Sequence, residues 1–245
     1  ALRGGKGASA IVTAIEFDLV HLPTFYGGAV YFDGADAARV LDHWRGWSQA
    51  LPEQATTSVA LFQLPEMPGV PPQLANRMSI GVRFVWTGDP EEGRWLLDGI
   101  REAAPVILDD ACHRPYTEID HVHADPVDPM PAWEKGMLLD DLTDEGVDAL
   151  LATAGPQLDI PLIMAELRLM GGALGRPAKV PNAVPGRSAA YSLYVIGPGV
   201  PELAQVVPAI AKGILGALKP WASSENMINF LGDVSGPEEF AAAYP

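Results

Sequence analysis

The sequence predicts an α+β fold: a mostly antiparallel β-sheet with helices packed on one face. Three observations predict it. Apolar residues alternate over 24–32, 56–64 and 77–86, the period-2 spacing of strands. Over 35–51, and again after Asp89 and after Thr143, they recur at the spacing of amphipathic helices. The strands at 56–64 and 77–86 follow one another without an intervening helix, which argues against a simple βα repeat around a parallel sheet.

Residues 11–22 are the first expected strand, with Ile11, Ile15, Phe17 and Leu19 on one parity and Glu16 and Asp18 on the other. The strand at 24–32 carries Gly27 and Gly28, a sign of a bulge or a close backbone approach. In the helix over 35–51, Val40, Leu41, Trp44, Trp47 or Ser48, and Leu51 share a face, while Asp33 and Asp36 sit where a helix start favours acidic groups. A Pro-rich loop separates the next two strands, because proline cannot continue a ladder. Asp89 caps the second helix, Pro90 opens it, and Leu96, Leu97, Ile100 and Ala104 form its apolar stripe. Residues 112–135 are irregular and rich in Pro, Asp and His, and read as loop with short helical turns. Thr143, Asp144 and Glu145 start a third helix bearing Val147, Leu150 and Leu151. Strands over 160–170 and 187–197 follow, then a helix over 201–221 that Pro208 kinks or breaks, and a last strand over 225–233.

At 245 residues, 48% apolar and 19% charged, the chain is globular and long enough for one large core or two small ones. A net charge of −15 speaks against binding nucleic acid or an anionic membrane, both of which need clustered Lys and Arg. No apolar run reaches the roughly 18 residues of a membrane span. Cys112 stands alone, which leaves out an intrachain disulfide and a Cys-based zinc site. The start lacks both an initiator Met and a signal pattern, so the chain reads as truncated there. A cytoplasmic location is expected, with secretion left open because the native N-terminus is missing.

Several segments carry a resemblance. Arg3-Gly4-Gly5-Lys6-Gly7, followed by Ile11-Val12-Thr13 and Glu16-Phe17, is similar to the segment closing the flavin domain of the berberine-bridge-type FAD-linked oxidases, within the vanillyl-alcohol-oxidase superfamily. Tyr26-Gly27-Gly28, the Trp44 and Trp47 helix, Glu166-Leu167-Arg168 with Gly171-Gly172-Ala173, the stretch from Arg187 to Tyr194, and Asn229-Phe230 with Gly232 resemble later motifs in the same order. His123-Ala124-Asp125-Pro126 and Asp128-Pro129-Met130-Pro131 resemble a stretch common in one bacterial branch.

The resemblance implies that residues 1–22 are the last strand of an FAD-binding domain and 23–245 the substrate-binding domain. The sheet face without helices is then open toward a flavin domain of the same gene product that this chain lacks. It implies FAD, bound mainly outside this chain, and oxidation of an alcohol, phenol or related small molecule by hydride transfer to flavin, with O2 as acceptor. The cofactor carries the redox chemistry and the protein supplies orientation and electrostatics. The fragment alone is expected to be inactive.

Glu166 and Arg168, two apart on a strand, leave the same face. Glu166 is a candidate base and Arg168 a candidate stabiliser of a developing oxyanion or of reduced flavin. A carboxylate beside an arginine is a weaker base, and a mutually paired Glu and Arg is the plain alternative. The resemblance puts a catalytic or substrate-contacting side chain at or near Leu193. Leucine cannot move a proton, so the role is either vacant or passes to Tyr191, with Arg187 as the helping cation, unless Tyr191 is core. Arg187, Leu193 and Met227 are expected substrate contacts. Gly4, Gly5, Gly7 and Asn229 are expected cofactor contacts, although a tight turn also explains the glycines. His121 and His123, flanked by Asp120 and Asp125, are compatible with zinc or iron but lack a third ligand, so no metal is expected. The competing reading is a non-enzymatic α+β module that dimerises or binds a small molecule.

Overall fold

Alternating strands need partners for their backbone N–H and C=O groups, and these find them in one sheet. A computed structural model describes residues 3–8, 10–126, 128–234 and 236–244 of the chain. Among them are β1 (Thr24–Asp33), β2 (Ala55–Leu64), β3 (Arg77–Trp86), β4 (Val106–Asp109), β5 (Cys112–Pro115), β6 (Ala132–Leu139), β7 (Met164–Leu169) and β8 (Tyr191–Pro198). Their order is β4–β1–β3–β2–β7–β8–β6, with β5 also beside β1. Every strand pairing is antiparallel.

The helices are α1 (Ala37–Gln49), α2 (Pro90–Arg101), α3 (Asp144–Ala154), α4 (Gly172–Gly175), α5 (Val206–Leu218) and α6 (Pro237–Ala241). Four of them, in the order α2–α1–α3–α5, form a layer over one face of the sheet. Their ends are built as the sequence requires. The Asp89 carboxylate accepts from the N–H groups of Glu91 and Glu92, and the Thr143 hydroxyl accepts from Gly146. Val40, Leu41 and Trp44 of α1 and Leu97 and Ile100 of α2 pack on Val30, Phe32, Ile80, Val82 and Phe84. Leu193 and Val195 meet Val207, Ala211 and Ile214 of α5 in the same core. Each large side chain so buried contributes about 1.5–3 kcal/mol.

The glycine pair in β1 marks a change of partner. Residues 24–27 pair with β5 and 30–32 with β4, and the turn between those strands wedges in at Gly28. A side chain there would collide with Asp110 and Ala111, and its φ of +151° suits glycine. Asp110 Oδ1 accepts from the Ala29 N–H at 2.5 Å and closes the gap.

Four expectations are corrected. Residues 11–22 form no strand: Ile11 is 92% and Leu19 86% exposed, because an alternating segment without a neighbouring edge has nothing to pair with. The region 112–135, expected as loop, contains β5 and the start of β6 beside its helical turns. Residues 225–233 make a 3-10 turn at Ile228–Phe230 and a single bridge from Gly232 to Lys135 instead of a strand. Pro208 does not kink its helix. The helix starts at Val206, which places the proline in a first turn where its missing N–H is harmless.

Candidate functional site

The strands turn their other parity away from the helix layer, and there the register lines up polar groups. One row across the sheet reads Ala29, Arg83, Ser58, Arg168, Ser192, Leu138; the next reads Tyr31, Gly81, Ala60, Glu166, Tyr194, Gly136. Arg83 and Arg168 thus straddle Ser58, and Glu166 stands one row away between them.

Glu166 is 0% exposed and Arg83 5%. The Glu166 Oε1 accepts from Ser58 Oγ at 2.7 Å and Arg83 Nη1 at 2.5 Å. Its Oε2 accepts from Arg168 Nε and Nη2, both at 2.7 Å. Burial alone would raise this carboxyl's pKa. The two guanidinium groups and the serine overcome that and hold it below the usual carboxylate range. Glu166 is therefore a counter-ion to two arginines and has no free oxygen for base chemistry, which corrects its expected role.

Arg168 is 27% exposed, and Glu166 engages only its Nε and Nη2 edge. Its guanidinium lies over Phe230 at 4.7 Å and Tyr194 at 5.8 Å. The Tyr194 hydroxyl donates to Glu134 on β6. Burial, then the Glu134 carboxylate, pushes this phenol well above its ordinary pKa. The Phe230 ring stands edge-on to Tyr194 at 5.3 Å. It reaches there because Gly136, directly opposite Tyr194, has no Cβ to collide with the Phe230 carbonyl. On the other side, the helical turns Tyr116–Val122 contact β1 and β3, and the His123 carbonyl accepts from Arg83 Nη2 at 3.3 Å. Burial, and then Arg83, lower the His123 pKa. The arrangement offers a fixed cation, an edge-to-face aromatic pair and a phenol–carboxylate pair on one face.

Of the expected site residues, Arg168 alone lies in this cluster as a presented functional group. Tyr191 and Leu193 face the helices instead, because they have the opposite parity to Tyr194. Tyr191 is fully buried against Trp44 at 5.7 Å, and its hydroxyl accepts from Gln49 Nε2 at 2.9 Å. Arg187 holds its own loop together, donating to the carbonyls of Leu174 and Arg176 and to Asn182 Oδ1. Met227 precedes the turn that carries Phe230, and Asn229 lies within that turn, exposed. Gly5 is buried, Gly7 is exposed, and Gly4 at φ +80° lies so close to the Ala183–Val184 backbone that a Cβ would overlap it. Chain packing thus accounts for Gly4. Among the described residues no group of three or more His, Cys, Asp or Glu is placed to hold a metal, and no helix is long and apolar enough to cross a membrane.

Sequence reasoning missed Arg83, Ser58, Tyr194 and Glu134. A signal existed for Arg83: its parity in β3 carries Ser79 and Gly81, whereas the other carries Ile80, Val82 and Phe84. A cavity of about 580 Å³ lies at the sheet edge on the helix side, lined by Tyr26, Arg94, Arg101, Cys112 and His113 among others. Arg101 is already consumed there by Asp98 and Asp109, which leaves the polar sheet face as the better site.

No protein-family model and no curated protein matches the sequence. Solved structures do match. The BBE-like 1 protein of Physcomitrella patens is 12% identical with a TM-score of 0.68, the match covering 91% of this chain and 48% of that one. Berberine bridge enzyme from Eschscholzia californica is 13% identical with a TM-score of 0.63, over 84% of this chain and 43% of that one. The carbohydrate oxidase from Microdochium nivale is 11% identical with a TM-score of 0.61, over 83% and 45% respectively. The chain spans about half the length of the structures it matches, and its fold is the one these berberine-bridge-type oxidase structures share.

Proposed function

We propose that this chain is the substrate-binding part of an FAD-linked oxidoreductase. It oxidises an alcohol, phenol or related small molecule, with O2 as the electron acceptor. In this reading residues 1–22 belong to a flavin-binding domain and 23–245 to the substrate domain. The alternation at 11–20 supports that division, since its apolar side chains are exposed among the described residues. The observation that carries the proposal is the polar face opposite the helices, in a fold shared with flavin-oxidase structures.

The residues on that face fit such a ring system chemically. Phe230, Tyr194 and the Arg168 guanidinium are planar groups, and the Arg168 Nη1 lies outside its pairing with Glu166. When bound, the flavin accepts the hydride. Arg168 balances negative charge that develops on the substrate oxygen or on the reduced ring. Glu166 and Arg83, locked together beneath it, fix its direction so that no reorganisation is needed during reaction.

The test is the colour of the full-length protein. It is expected to show flavin absorbance that bleaches when an oxidisable alcohol or phenol is added without oxygen. A colourless protein defeats the proposal, and a colourless dimer would instead favour the non-enzymatic binding module.

A further inference from the structure

We propose that the cavity between α2 and the β4–β5 turn is a docking site for a basic, extended segment of a partner protein, with Trp95 as its anchor. The surface lies on the helix side of the sheet, opposite the polar face, so the proposal stands or falls independently of the oxidase reading. The sequence of α2 sets it up. Gly93, Leu97 and Ile100 turn toward the core, and Trp95, nearly opposite them on the helix, is 71% exposed. A tryptophan ring contributes most when water is removed from it, and α2 completes its apolar stripe without this one. One turn away on either side stand Glu91, Glu92 and Asp98, and Glu102 follows two turns on. An exposed ring among carboxylates presents a π face and negative charge together, which suits a guanidinium or ammonium group.

Glu91 and Asp98 also line the cavity of about 580 Å³, so the ring and the cavity share one wall. Inside it, Arg101 is neutralised by Asp98 and Asp109, each at 2.8 Å. Glu91 and Arg94 make no ion pair among the described residues. Glu91, Glu92, Asp98, Glu102 and Asp109 together outweigh Arg94 and Arg101, and the occupant must therefore be cationic. That sets a second copy of this chain, with a net charge of −15, against the site. The far wall of the cavity favours an extended chain over a small polycation. It is the edge of the sheet, where β4 and β5 pair only with β1 among the described residues. Such an edge offers backbone groups to an added strand, and Arg94 offers a donor for a peptide carbonyl.

The experiment uses the full-length protein and a fluorescein-labelled, amidated peptide of alternating Arg and Val, with a Gln–Val peptide and spermine as comparisons. Fluorescence anisotropy should show saturable binding of the Arg–Val peptide that weakens with salt, and no binding of the Gln–Val peptide. Trp95→Ala is expected to weaken binding about tenfold at both low and high salt, as the loss of an aromatic anchor does. Glu91→Gln/Glu92→Gln should weaken it by about the same factor at low salt. Asp148→Asn/Glu202→Gln removes equal charge from exposed positions on α3 and before α5, and should leave affinity unchanged. Acrylamide should quench a tryptophan component of the free protein that Trp95→Phe lacks, and the peptide should protect it. Equal affinity in wild type and Trp95→Ala, or equal losses in the two charge-neutralised variants, would reduce the binding to bulk charge and overturn the proposal. Protection of Trp95 by spermine as complete as by the peptide would make the ligand a small polycation. A Trp95 that acrylamide cannot reach, covered by another part of the full-length chain, also overturns it.

Discussion

The two faces of the sheet both hold fully buried side chains but are built from opposite chemistry. Leu193 and Tyr194 are consecutive residues, yet Leu193 sits among the helices of the main core and Tyr194 beside a buried ion cluster. Glu166 is as inaccessible as Leu193, both at 0%. On the helix side burial itself stabilises, through apolar area removed from water. On the other side burial is a penalty that Arg83, Arg168 and Ser58 must offset, and an apolar substitute of equal volume would do at least as well. A charged cluster that stability alone does not require, on the face opposite the helix layer, is the kind of arrangement that functional sites carry.

The largest effect should come from cutting the cluster on one side only. Glu166→Ala leaves two guanidinium groups facing each other without a counter-ion. It should destabilise the protein by about 3–5 kcal/mol in denaturant titration. Replacing Arg83, Glu166 and Arg168 together by Met, Leu and Met should recover most of that, since no uncompensated charge remains. A triple variant as unstable as Glu166→Ala would mean that the two faces obey the same rule, and the contrast would be broken. Leu193→Ala, one residue from the polar face, should cost about 2–5 kcal/mol through lost transfer energy and the cavity it leaves. It should not alter the ionisation of Tyr194.

A pH series separates the faces further. The pKa of Glu166 is lowered by folding, so its contribution is complete above the ordinary Glu value of about 4.3 and is lost as pH falls through the lower folded-state value. Stability of the wild type should therefore decline on acidification in that window. Glu166→Gln should flatten the decline at the expense of lower stability at neutral pH. An unchanged slope would place the acid sensitivity elsewhere.

The helix face was legible in the sequence and the polar face only in part, for physical reasons that particular residues illustrate. The α1 stripe of Val40, Leu41 and Trp44 follows from periodicity because one side of a helix must meet the core. Strands β1, β2 and β3 were equally plain. Strand β6 was not, since Glu134, Lys135 and Gly136 interrupt its apolar pattern and its one full ladder is with β8, at the edge of the sheet. Glu134 was missed with it. Parity put Glu166 and Arg168 together correctly, but the same rule could not say which parity of β8 faces them. That was settled by cross-strand register, which opposes Glu166 to Tyr194 and is a property of pairing, not of one segment. Arg83, 83 residues before Glu166 in the chain, is tied to it only by the topology.

The smallest effect is expected at the residue the motif pattern favoured. Tyr191→Phe removes one acceptor, and the Gln49 amide that donates to it is on an exposed residue and can turn to water. The loss should be about 0.5 kcal/mol, the low end for a neutral hydrogen bond, with the Tyr191 ring still packed on Trp44. Tyr194→Phe should also be mild in stability, because the ring stays under Phe230 and Glu134 is only partly buried. Both substitutions are thus expected to be mild in stability, and a larger kinetic loss in flavin reduction for Tyr194→Phe than for Tyr191→Phe would follow the sheet's sidedness. Equal kinetic losses in both variants would mean that the reactive face is not the one bearing Arg168.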